Sequence, residues 1–435
     1  MPTIAVERPS RVQLSVLPPL ALYVHIPWCV RKCPYCDFNS HERNEPLPEH
    51  EYVAKLISDL EALLPAVWGR RLLSVFIGGG TPSLFSPEAI DQLLSAVRAR
   101  LVLEPGAEIT LEANPGTVEA TRFRGFRDAG VNRISLGVQS FDDAMLSALG
   151  RIHSAAEARR GVQAALASFD NVNLDLMYGL PGQTLDMACA DIREALACGT
   201  PHLSAYQLTI EPNTAFYRRP PPLPEHDTCA DMQLAVEEAL GAAGYQHYET
   251  SAFARPGQRC RHNLNYWEFG DYLGIGAGAH GKVSFPDHVR RHERIKQPRD
   301  YLENRGQAPI SQAAQDRDGG SVTKSVPDPD FPSTLAREFT VPPAELPFEF
   351  MLNALRLIDG FPLALFGERT GLPLGAVLRQ LQDAEKRGLL VRDVQRVRPS
   401  ERGRLFLNEL LALFVGESTD RGSSVRVAGP ATRTS

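Results

Sequence analysis

The feature that most constrains the fold is a regular alternation of short apolar strands and longer helical segments in the first half of the chain. Six β-branched segments recur between residues 21 and 210, and helical stretches separate them. Strands that alternate with helices in this way form βαβ units, and their strands lie parallel in one sheet. Because the strands are apolar on both faces, the sequence predicts an α/β fold with a full or partial (β/α) barrel.

The predicted elements can be placed along the chain. The strands cover 21–27, 72–80, 108–115, 132–140, 171–181 and 202–210. The helices lie near 48–65, 86–102, 117–129, 153–169, 184–198 and 225–243. The alternation ends at about residue 245, after which further strands and loops are expected up to residue 300.

The chain divides into segments of different composition. Residues 1–20 contain several prolines and predict a flexible leader, and residues 21–300 form the barrel. Residues 301–345, rich in Gln, Asp, Ser and Pro over most of their length, predict a linker or insertion. Residues 346–417 predict helices and a hairpin, an α+β unit that resembles a winged-helix module. Residues 418–435 predict a disordered tail.

Charge and cysteine content indicate the environment of the protein. The 435-residue chain has a formal net charge of −6, which gives no argument for a nucleic-acid or membrane partner. No apolar run approaches the ~20 residues that span a bilayer. Seven cysteines in a chain of this length do not make a disulfide scaffold, and a cluster among them is typical of a metal or catalytic site in a reducing compartment. We therefore expect a cytoplasmic protein.

The strongest chemical signal is the segment HIPWCVRKCPYCDF, residues 25–38, directly after the first predicted strand. Its cysteines, Cys29, Cys33 and Cys36, have the spacing C-x3-C-x2-C. Structural zinc prefers four ligands from paired knuckles, no second C-x2-C is present, and three clustered cysteines are an uncommon set for catalytic zinc. In a four-iron cluster each iron takes one thiolate, so three cysteines leave one iron open. The segment therefore predicts an iron–sulfur cluster whose open iron binds a small molecule.

Glycine and polar residues follow the next four predicted strands, where parallel barrels carry their working groups. The second strand ends in GGGTPS, residues 78–83, whose glycines let backbone amides approach a ligand closely. The polar residues of strands three to five are Glu112, Asn114, Gln139 and Asp175. Taken singly, a glycine loop also fits a simple turn and a carboxylate also fits a loop cap. Together with the cysteines, these residues predict one site at this rim.

These motifs resemble those of the radical S-adenosylmethionine superfamily. The segments YVHIPWCVRKCPYCDF, GGGTPS, EANPG, RISLGVQSFDD, LDLMYGLPGQT and HNLNYW resemble its oxygen-independent coproporphyrinogen oxidase branch, and within that branch the HemW family of haem chaperones. The resemblance runs from about residue 21 to 417, apart from residues 306–345. It implies a partial, TIM-like radical SAM barrel with a small winged-helix-like domain at its C-terminal side.

The resemblance also implies the cofactors. A [4Fe–4S] cluster would be held by the three cysteines, and S-adenosyl-L-methionine would chelate the open iron and be cleaved to a 5′-deoxyadenosyl radical. The residues that match family positions for S-adenosylmethionine are Tyr23, Tyr35, Gly79, Gly80, Thr81, Glu112, Gln139, Arg151 and Asp175. Oxidases of the branch carry a further cysteine two residues after the third, and this chain has Phe38 there, which favours a chaperone.

The segment HNLNYW, residues 262–267, matches a pattern associated with haem binding in the chaperones. The implied haem contacts are His262, Asn263, Tyr266 and Trp267. His262 is the predicted axial ligand, Cys260 is an alternative thiolate ligand, and the two aromatic rings offer flat apolar surface. From the residues alone, a loop cap with aromatic packing at the barrel mouth explains the same motif.

The resemblance implies a haem chaperone that binds S-adenosylmethionine and passes haem to apo-haemoproteins such as respiratory enzymes. One alternative is an oxygen-independent coproporphyrinogen III oxidase. A second is a nucleic-acid-binding regulator, because basic residues cluster in residues 386–404, although the acidic chain argues against a nucleic-acid partner. No membrane anchor is visible, so membrane contact would be peripheral and run through a partner. We expect a monomer or a homodimer.

Overall fold

The structure is a computed structural model that describes residues 11–43, 45–117, 120–304 and 334–415. Three predicted segments therefore lie partly or wholly outside the described residues. These are the first ten residues of the leader, most of the insertion and the tail at 418–435. The described residues form 17 strands and 15 α-helices.

Most of the strands belong to one twelve-stranded sheet. The first fourteen strands are β1 (Leu20–Ile26), β2 (Trp28–Cys29), β3 (His41–Glu42), β4 (Arg71–Gly79), β5 (Val102–Ala113), β6 (Arg133–Gln139), β7 (Val172–Tyr178), β8 (His202–Gln207), β9 (Gln246–Glu249), β10 (Ala252–Ala254), β11 (Asp271–Ile275), β12 (His280–Ser284), β13 (Val289–Arg294) and β14 (Leu335–Thr340). Seven neighbouring strands run parallel, in the order β11-β1-β4-β5-β6-β7-β8. Antiparallel strands extend the sheet at both ends, so the barrel is partial and open.

Helices connect the consecutive parallel strands from β1 to β8. The helices of this part are α1 (Glu49–Leu63), α2 (Pro87–Arg100), α3 (Ala120–Asp128), α4 (Asp143–Ala148), α5 (Ala155–Leu166), α6 (Leu185–Cys198), α7 (Ala215–Arg218), α8 (His226–Ala242), α9 (Arg261–Trp267) and α10 (Pro298–Leu302). Their starts follow local capping chemistry, such as the box that Ser154 and Glu157 form at α5. The six predicted strands and six predicted helices are confirmed. Periodicity missed α4, α7, α9 and α10 because they have only six, four, seven and five residues.

The two faces of the sheet differ in chemistry. On β1, the alternate residues Leu20, Leu22, Val24 and Ile26 are buried in the main hydrophobic core, which they share with the surrounding helices. On the opposite, inner face, Asp175 of β7 accepts hydrogen bonds from the Ser135 hydroxyl at 2.9 Å and the Asn173 amide at 2.8 Å. The inside of the partial barrel is therefore lined with polar side chains.

Two segments predicted to be flexible are integrated into the fold where they are described. Val12 and Leu14 of the leader are buried in the core of the C-terminal unit, and the Gln13 N–H donates to the Gly371 carbonyl at 3.0 Å. Residues 335–340 of the predicted linker form β14, which pairs antiparallel with β13. Both predictions are wrong there, because the partners of these segments lie far along the chain and leave no local pattern.

The C-terminal unit has a core of its own. Its elements are α11 (Leu346–Ala354), β15 (Phe361–Pro362), α12 (Leu363–Thr370), α13 (Leu378–Lys386), β16 (Leu390–Arg392), β17 (Arg396–Pro399), α14 (Glu401–Leu405) and α15 (Leu407–Ala412). The three strands form one antiparallel sheet, and the Phe350 ring meets those of Phe361 and Phe366 edge-on at 4.9 and 5.3 Å. The predicted helices and hairpin are present, and the exact domain boundaries stay predictions. None of the described helices is both long and apolar enough to cross a membrane.

A buried charge cluster joins β11 to β12. Asp271 lies 2.9 Å from the Lys282 ammonium and 2.9 Å from the Arg70 guanidinium, and it accepts a hydrogen bond from the Ser284 hydroxyl at 2.7 Å. Burial by itself would raise the pKa of Asp271, but Lys282 and Arg70 outweigh burial and hold the pKa below its usual value. The carboxylate is therefore charged and compensates two cations.

We predict that Asp271→Asn lowers the free energy of unfolding by about 3–5 kcal/mol, because Lys282 keeps a buried charge without its counter-charge. Urea denaturation followed by circular dichroism measures the change. Asp287→Asn is the matched control, since that side chain is 77% exposed, and it should change stability by less than about 0.5 kcal/mol. An unchanged stability of Asp271→Asn contradicts the prediction.

Candidate functional site

The cysteine loop leaves the carboxyl end of β1 and is held by backbone hydrogen bonds. Cys29 belongs to β2, which pairs with β3, and the Cys29 carbonyl accepts from the Arg43 N–H at 2.9 Å. The Cys36 N–H donates to the Cys33 carbonyl at 3.1 Å, so these two cysteines share one tight turn. None of the three is in a disulfide, and all three line the same cleft.

The cleft is open to solvent, and the space within it and at its mouth amounts to about 820 Å³. Six of the nine residues predicted to contact S-adenosylmethionine line it together with the cysteines. These six are Tyr35, Gly79, Gly80, Thr81, Gln139 and Arg151. Phe38, which stands where an oxidase of the resembling branch carries a further cysteine, lines the cleft as well.

The other three predicted residues lie inside the barrel and do not line the cleft. The Glu112 carboxylate accepts a hydrogen bond from the Gly79 N–H at 3.0 Å and so shapes the glycine turn. Asp175 is fully buried in its network with Ser135. The Tyr23 hydroxyl is hydrogen-bonded to the His25 imidazole at 2.9 Å. Of these three residues, Glu112 contacts the cleft-lining turn directly, through the Gly79 N–H.

The glycine turn after β4 needs its glycines because it lies against the end of β1. A Cβ on Gly79, whose φ is 121°, would lie 2.7 Å from the His25 ring. A Cβ on Gly80 would lie 2.6 Å from the Trp28 carbonyl oxygen, and the Gly80 N–H donates to the Ile26 carbonyl at 2.8 Å. The absence of side chains is therefore what brings the turn and the cysteine loop together.

Two buried donor atoms at the cleft have no hydrogen-bond partner among the residues that the structure describes. They are Nε2 of Gln139 and Nε of Arg151. Gln139 also has a φ of 68°, a left-handed conformation that is uncommon outside glycine and clusters at functional sites. A ligand with carboxylate or hydroxyl oxygens would satisfy such donors, so the cleft fits the amino-acid and ribose groups of S-adenosylmethionine.

The thiols of the cleft would have to lose their protons in order to bind a metal cluster. Burial raises the pKa of the Cys29 thiol to about 11, and a hydrogen bond with Thr81 opposes this rise. Burial also raises the pKa of Cys36. Ligation must therefore displace protons from buried thiols, as metal binding to cysteine does in general. Within the described part of the chain, no three His, Cys, Asp or Glu side chains are close enough to hold one metal ion.

The predicted haem motif lies on α9, which packs against β1, β4 and β11 and does not line the cleft. The His262 side chain is buried, with the residue 6% exposed, and its Nδ1 lies 3.0 Å from the Ser74 hydroxyl. Its ring centroid is 5.0 Å from that of Phe76. Trp267 is buried as well, whereas Asn263 and Tyr266 are half-buried. The assignment of these four residues to haem stays a prediction.

Cys260, the alternative haem ligand, is also enclosed. Its Sγ lies 3.3 Å from a Glu108 carboxylate oxygen, and burial raises the pKa of the thiol to about 12. The same carboxylate accepts the backbone N–H groups of Arg261 at 3.1 Å and His262 at 3.2 Å. Glu108 thus holds the first turn of α9 inside the barrel.

One wall of the cleft was absent from the sequence predictions. Residues 206–209 and Glu211, at and after the end of β8, line the cleft, and so do Arg31, Asp37, Ser40 and Met177. The sixth strand was predicted, so the rule that working groups follow strand ends would have identified residues 206–209 and Glu211. Arg31, Asp37 and Ser40 lie between and just after the cysteines and carry no separate signal.

Three thiols on the loop after the first strand of a partial (β/α) barrel, with a glycine turn after the second, define a radical S-adenosylmethionine protein. The sequence matches the radical SAM superfamily over residues 23–195 and the HemN C-terminal domain over residues 341–406. The fold is similar to that of coproporphyrinogen III oxidase (HemN) from Escherichia coli, with a TM-score of 0.73 and 21% identity over 92% of this chain and 90% of that one.

Closer relatives identify the branch. The chain is 48% identical to the heme chaperone HemW of Haemophilus influenzae over 92% of this chain and 99% of that protein. Identity to the heme chaperone HemW of Escherichia coli is also 48%, over the same shares of both chains. Identity to the heme chaperone HemW of Mycobacterium tuberculosis is 34%, over 92% of this chain and 95% of that one. The chain belongs to the HemW family.

We predict that Gly80→Ala destabilises the chain by about 1–3 kcal/mol and lowers the iron bound after anaerobic reconstitution. The reason is that the new methyl group would push the Trp28 backbone, and with it the neighbouring Cys29. Iron and sulfide assays on the purified protein measure the effect. Gly241→Ala is the matched control, because a Cβ at that position meets nothing within 4 Å. Equal iron content in both variants contradicts the prediction.

The buried carboxyl of Glu112 should make the free energy of unfolding depend on pH. Burial raises the pKa of this carboxyl from 4.5 to about 8. Between these two values the folded state keeps a proton that the unfolded chain releases, so stability falls as the pH rises. The buried histidines also make stability depend on pH, but both chains contain them, so their contribution cancels in the difference between a Glu112 variant and the unchanged chain.

We therefore predict that Glu112→Gln gains on the order of 2 kcal/mol of stability relative to the unchanged chain between about pH 6.5 and about pH 8. Urea unfolding of the cluster-free proteins at both pH values measures the difference. Glu51→Gln, at an exposed position of α1, should show no such trend. A difference between the two chains that does not depend on pH would refute the assignment.

Proposed function

We propose that this protein is a haem chaperone that binds haem and S-adenosylmethionine at a radical SAM barrel and transfers haem to apo-haemoproteins such as respiratory enzymes. The observation that carries the proposal is 48% identity, over 92% of this chain, to two proteins named heme chaperone HemW. Phe38 at the cleft supports the choice of chaperone over oxidase, because the further cysteine of the oxidases is missing. We also propose a cytoplasmic location and a monomer or homodimer.

The cleft is the proposed site of the [4Fe–4S] cluster and S-adenosylmethionine. When bound and reduced, the cluster supplies the electron that cleaves the sulfonium. The backbone of Gly79 and Gly80 can approach the bound molecule closely, and the unpartnered donors of Gln139 and Arg151 would bind its oxygen atoms. The apolar rings of Tyr35 and Phe38 exclude water from the same space.

His262 is the proposed haem ligand. Burial lowers its pKa to about 3, so the imidazole is neutral, which is the form that binds a metal. Its Nδ1 is engaged with the Ser74 hydroxyl at 3.0 Å, and a ring nitrogen held in this way orients the other for ligation. Because the residue is only 6% exposed, haem reaches it only after α9 moves away from β1 and β4.

A haem titration of anaerobically reconstituted protein, followed by Soret absorbance, tests these assignments. We predict a saturable band that His262→Ala abolishes or shifts and that Cys260→Ser leaves unchanged. His292→Ala controls for the loss of a buried imidazole, since His292 lies outside the motif and its Nε2 is 3.1 Å from the Gly274 carbonyl oxygen. A band lost in Cys260→Ser and kept in His262→Ala would make the thiolate the ligand. No saturable band in the unchanged protein would overturn the chaperone proposal.

Two further assays separate the chaperone from the oxidase. Mixing the haem-loaded protein with the apo form of a respiratory haemoprotein should move haem to the acceptor. Anaerobic incubation with S-adenosylmethionine, a reductant and coproporphyrinogen III should give no protoporphyrinogen at catalytic turnover. Turnover in the second assay would favour the oxidase, for which the structural similarity at 21% identity shows only a common fold.

A further inference from the structure

Two of the three cysteines in the cleft lie within hydrogen-bonding distance of a polar side chain. Nη1 of Arg151 lies 3.5 Å from Sγ of Cys33. Oγ of Ser40, which is buried at 3% exposure, lies 3.5 Å from Sγ of Cys36. Once the cysteines are thiolates they can only accept hydrogen bonds, so the guanidinium and the hydroxyl must both be donors.

The third cysteine has a similar partner. Thr81, which is 2% exposed, lies against the end of β2: its N–H donates to the carbonyl of Trp28, the residue before Cys29, at 2.8 Å, and its side chain opposes the rise in the pKa of the Cys29 thiol. Its hydroxyl already accepts a hydrogen bond from Nδ2 of Asn114 at 2.9 Å, which leaves the hydroxyl hydrogen for the sulfur. Oδ1 of Asn114 in turn accepts from Nη2 of Arg151 at 2.5 Å. Asn114 therefore joins the partners of two different cysteines in one continuous chain of hydrogen bonds.

The guanidinium of this chain is fixed by the backbone around it. Nη2 of Arg151 also donates to the Gly137 carbonyl at 2.9 Å. A Cβ on Gly137 would lie 3.0 Å from Oδ1 of Asn114 and 3.4 Å from Nη2 of Arg151, so a side chain there would crowd both groups. The donors are therefore aimed at the sulfurs by the fold and need no ligand to place them.

We propose that Arg151, Thr81 and Ser40 raise the reduction potential of the cluster by donating hydrogen bonds to its thiolates, and that Asn114 positions two of these donors. A one-electron reduction adds a negative charge that spreads over the iron and sulfur atoms. Hydrogen bonds and a nearby positive charge stabilise the reduced form more than the oxidised form. Arg151 contributes most, because a charge-assisted hydrogen bond is roughly twice as strong as a neutral one.

This inference rests on the [4Fe–4S] cluster that the superfamily implies, and it is independent of haem delivery. It gives Arg151 and Thr81, which resemblance assigns to S-adenosylmethionine, an additional role that operates without that ligand. It also gives roles to Ser40 and Asn114, which the resemblance leaves unassigned. These four are positioning residues, since they act on the electron acceptor through the cysteines.

The test is a redox titration of the reconstituted full chain without S-adenosylmethionine, monitored by electron paramagnetic resonance. Iron and sulfide are measured on the same samples. Arg151→Met should lower the ratio of reduced to oxidised cluster about tenfold at a fixed solution potential, which corresponds to 59 mV for a one-electron couple. Ser40→Ala and Thr81→Val should lower the ratio less. Asn114→Leu should also lower it, although the proposal gives this residue no contact with a sulfur atom.

Arg122→Met is the matched control for loss of a guanidinium beside the glycine turn. Nη2 of Arg122 donates to the carbonyls of residues 83, 84 and 85, at distances of 2.7 to 3.1 Å, and it is hydrogen-bonded to no cysteine. The control should leave the potential unchanged. A shift as large as that of Arg151→Met would mean general loosening of the loop and would overturn the proposal.

If the Arg151→Met protein does not bind a cluster, other variants still test the proposal. Arg151→Lys keeps the charge, and we expect it to restore part of the potential. Valine and alanine are close in shape to threonine and serine, so Thr81→Val and Ser40→Ala should leave the conformation of the cysteine loop unchanged. If these variants carry a full complement of iron and sulfide at an unchanged potential, the proposal is wrong. Lower potentials in both support it.

Discussion

The close approach of the glycine turn after β4 to the end of β1 is the constraint on which the rest of the site depends. A methyl group on Gly80 would lie 2.6 Å from the Trp28 carbonyl oxygen, so the two loops could not keep their present contact. That contact sets the position of Cys29, the first residue after it. It also places the backbone of the turn and the Thr81 side chain at the wall of the cleft. A turn without side chains is thus what allows a deep cleft next to three sulfur atoms.

The inner face of this partial barrel supports the cleft with polar groups, whereas closed (β/α)8 barrels are filled by layers of bulky branched side chains. Burial raises the pKa of Glu112 to about 8 and that of Asp175 to about 7. Each carboxyl is retained because it accepts hydrogen bonds, from the Gly79 N–H in one case and from Ser135 in the other. Burial of these two carboxyls lowers the stability of the fold, and their hydrogen bonds hold the residues beneath the glycine turn in fixed positions.

A short series of contacts connects the predicted haem motif to the cysteine loop. The ring centroid of His262 lies 6.5 Å from that of Tyr23, and the Tyr23 hydroxyl is 2.9 Å from Nδ1 of His25. Nε2 of His25 lies 2.9 Å from the Asn39 carbonyl oxygen, three residues after the last cysteine of the cluster motif. Movement of α9, which haem binding at His262 requires, would disturb the first of these contacts. The two parts of the proposed function are thus neighbours inside one barrel.

Local pattern in the sequence by itself determined the six strands, the helices between them and the cysteine loop, because periodicity and residue spacing are properties of adjacent residues. Resemblance to the family, not local pattern, supplied the nine predicted contacts with S-adenosylmethionine, and six of these residues line the cleft. Only the tertiary structure decided that Glu112 and Asp175 lie below the rim, since the register of each strand sets how far its end reaches. The same holds for Val12, whose burial depends on a core more than 300 residues away along the chain. Local sequence pattern cannot reveal contacts between residues that are far apart in the chain, because only folding brings those residues together.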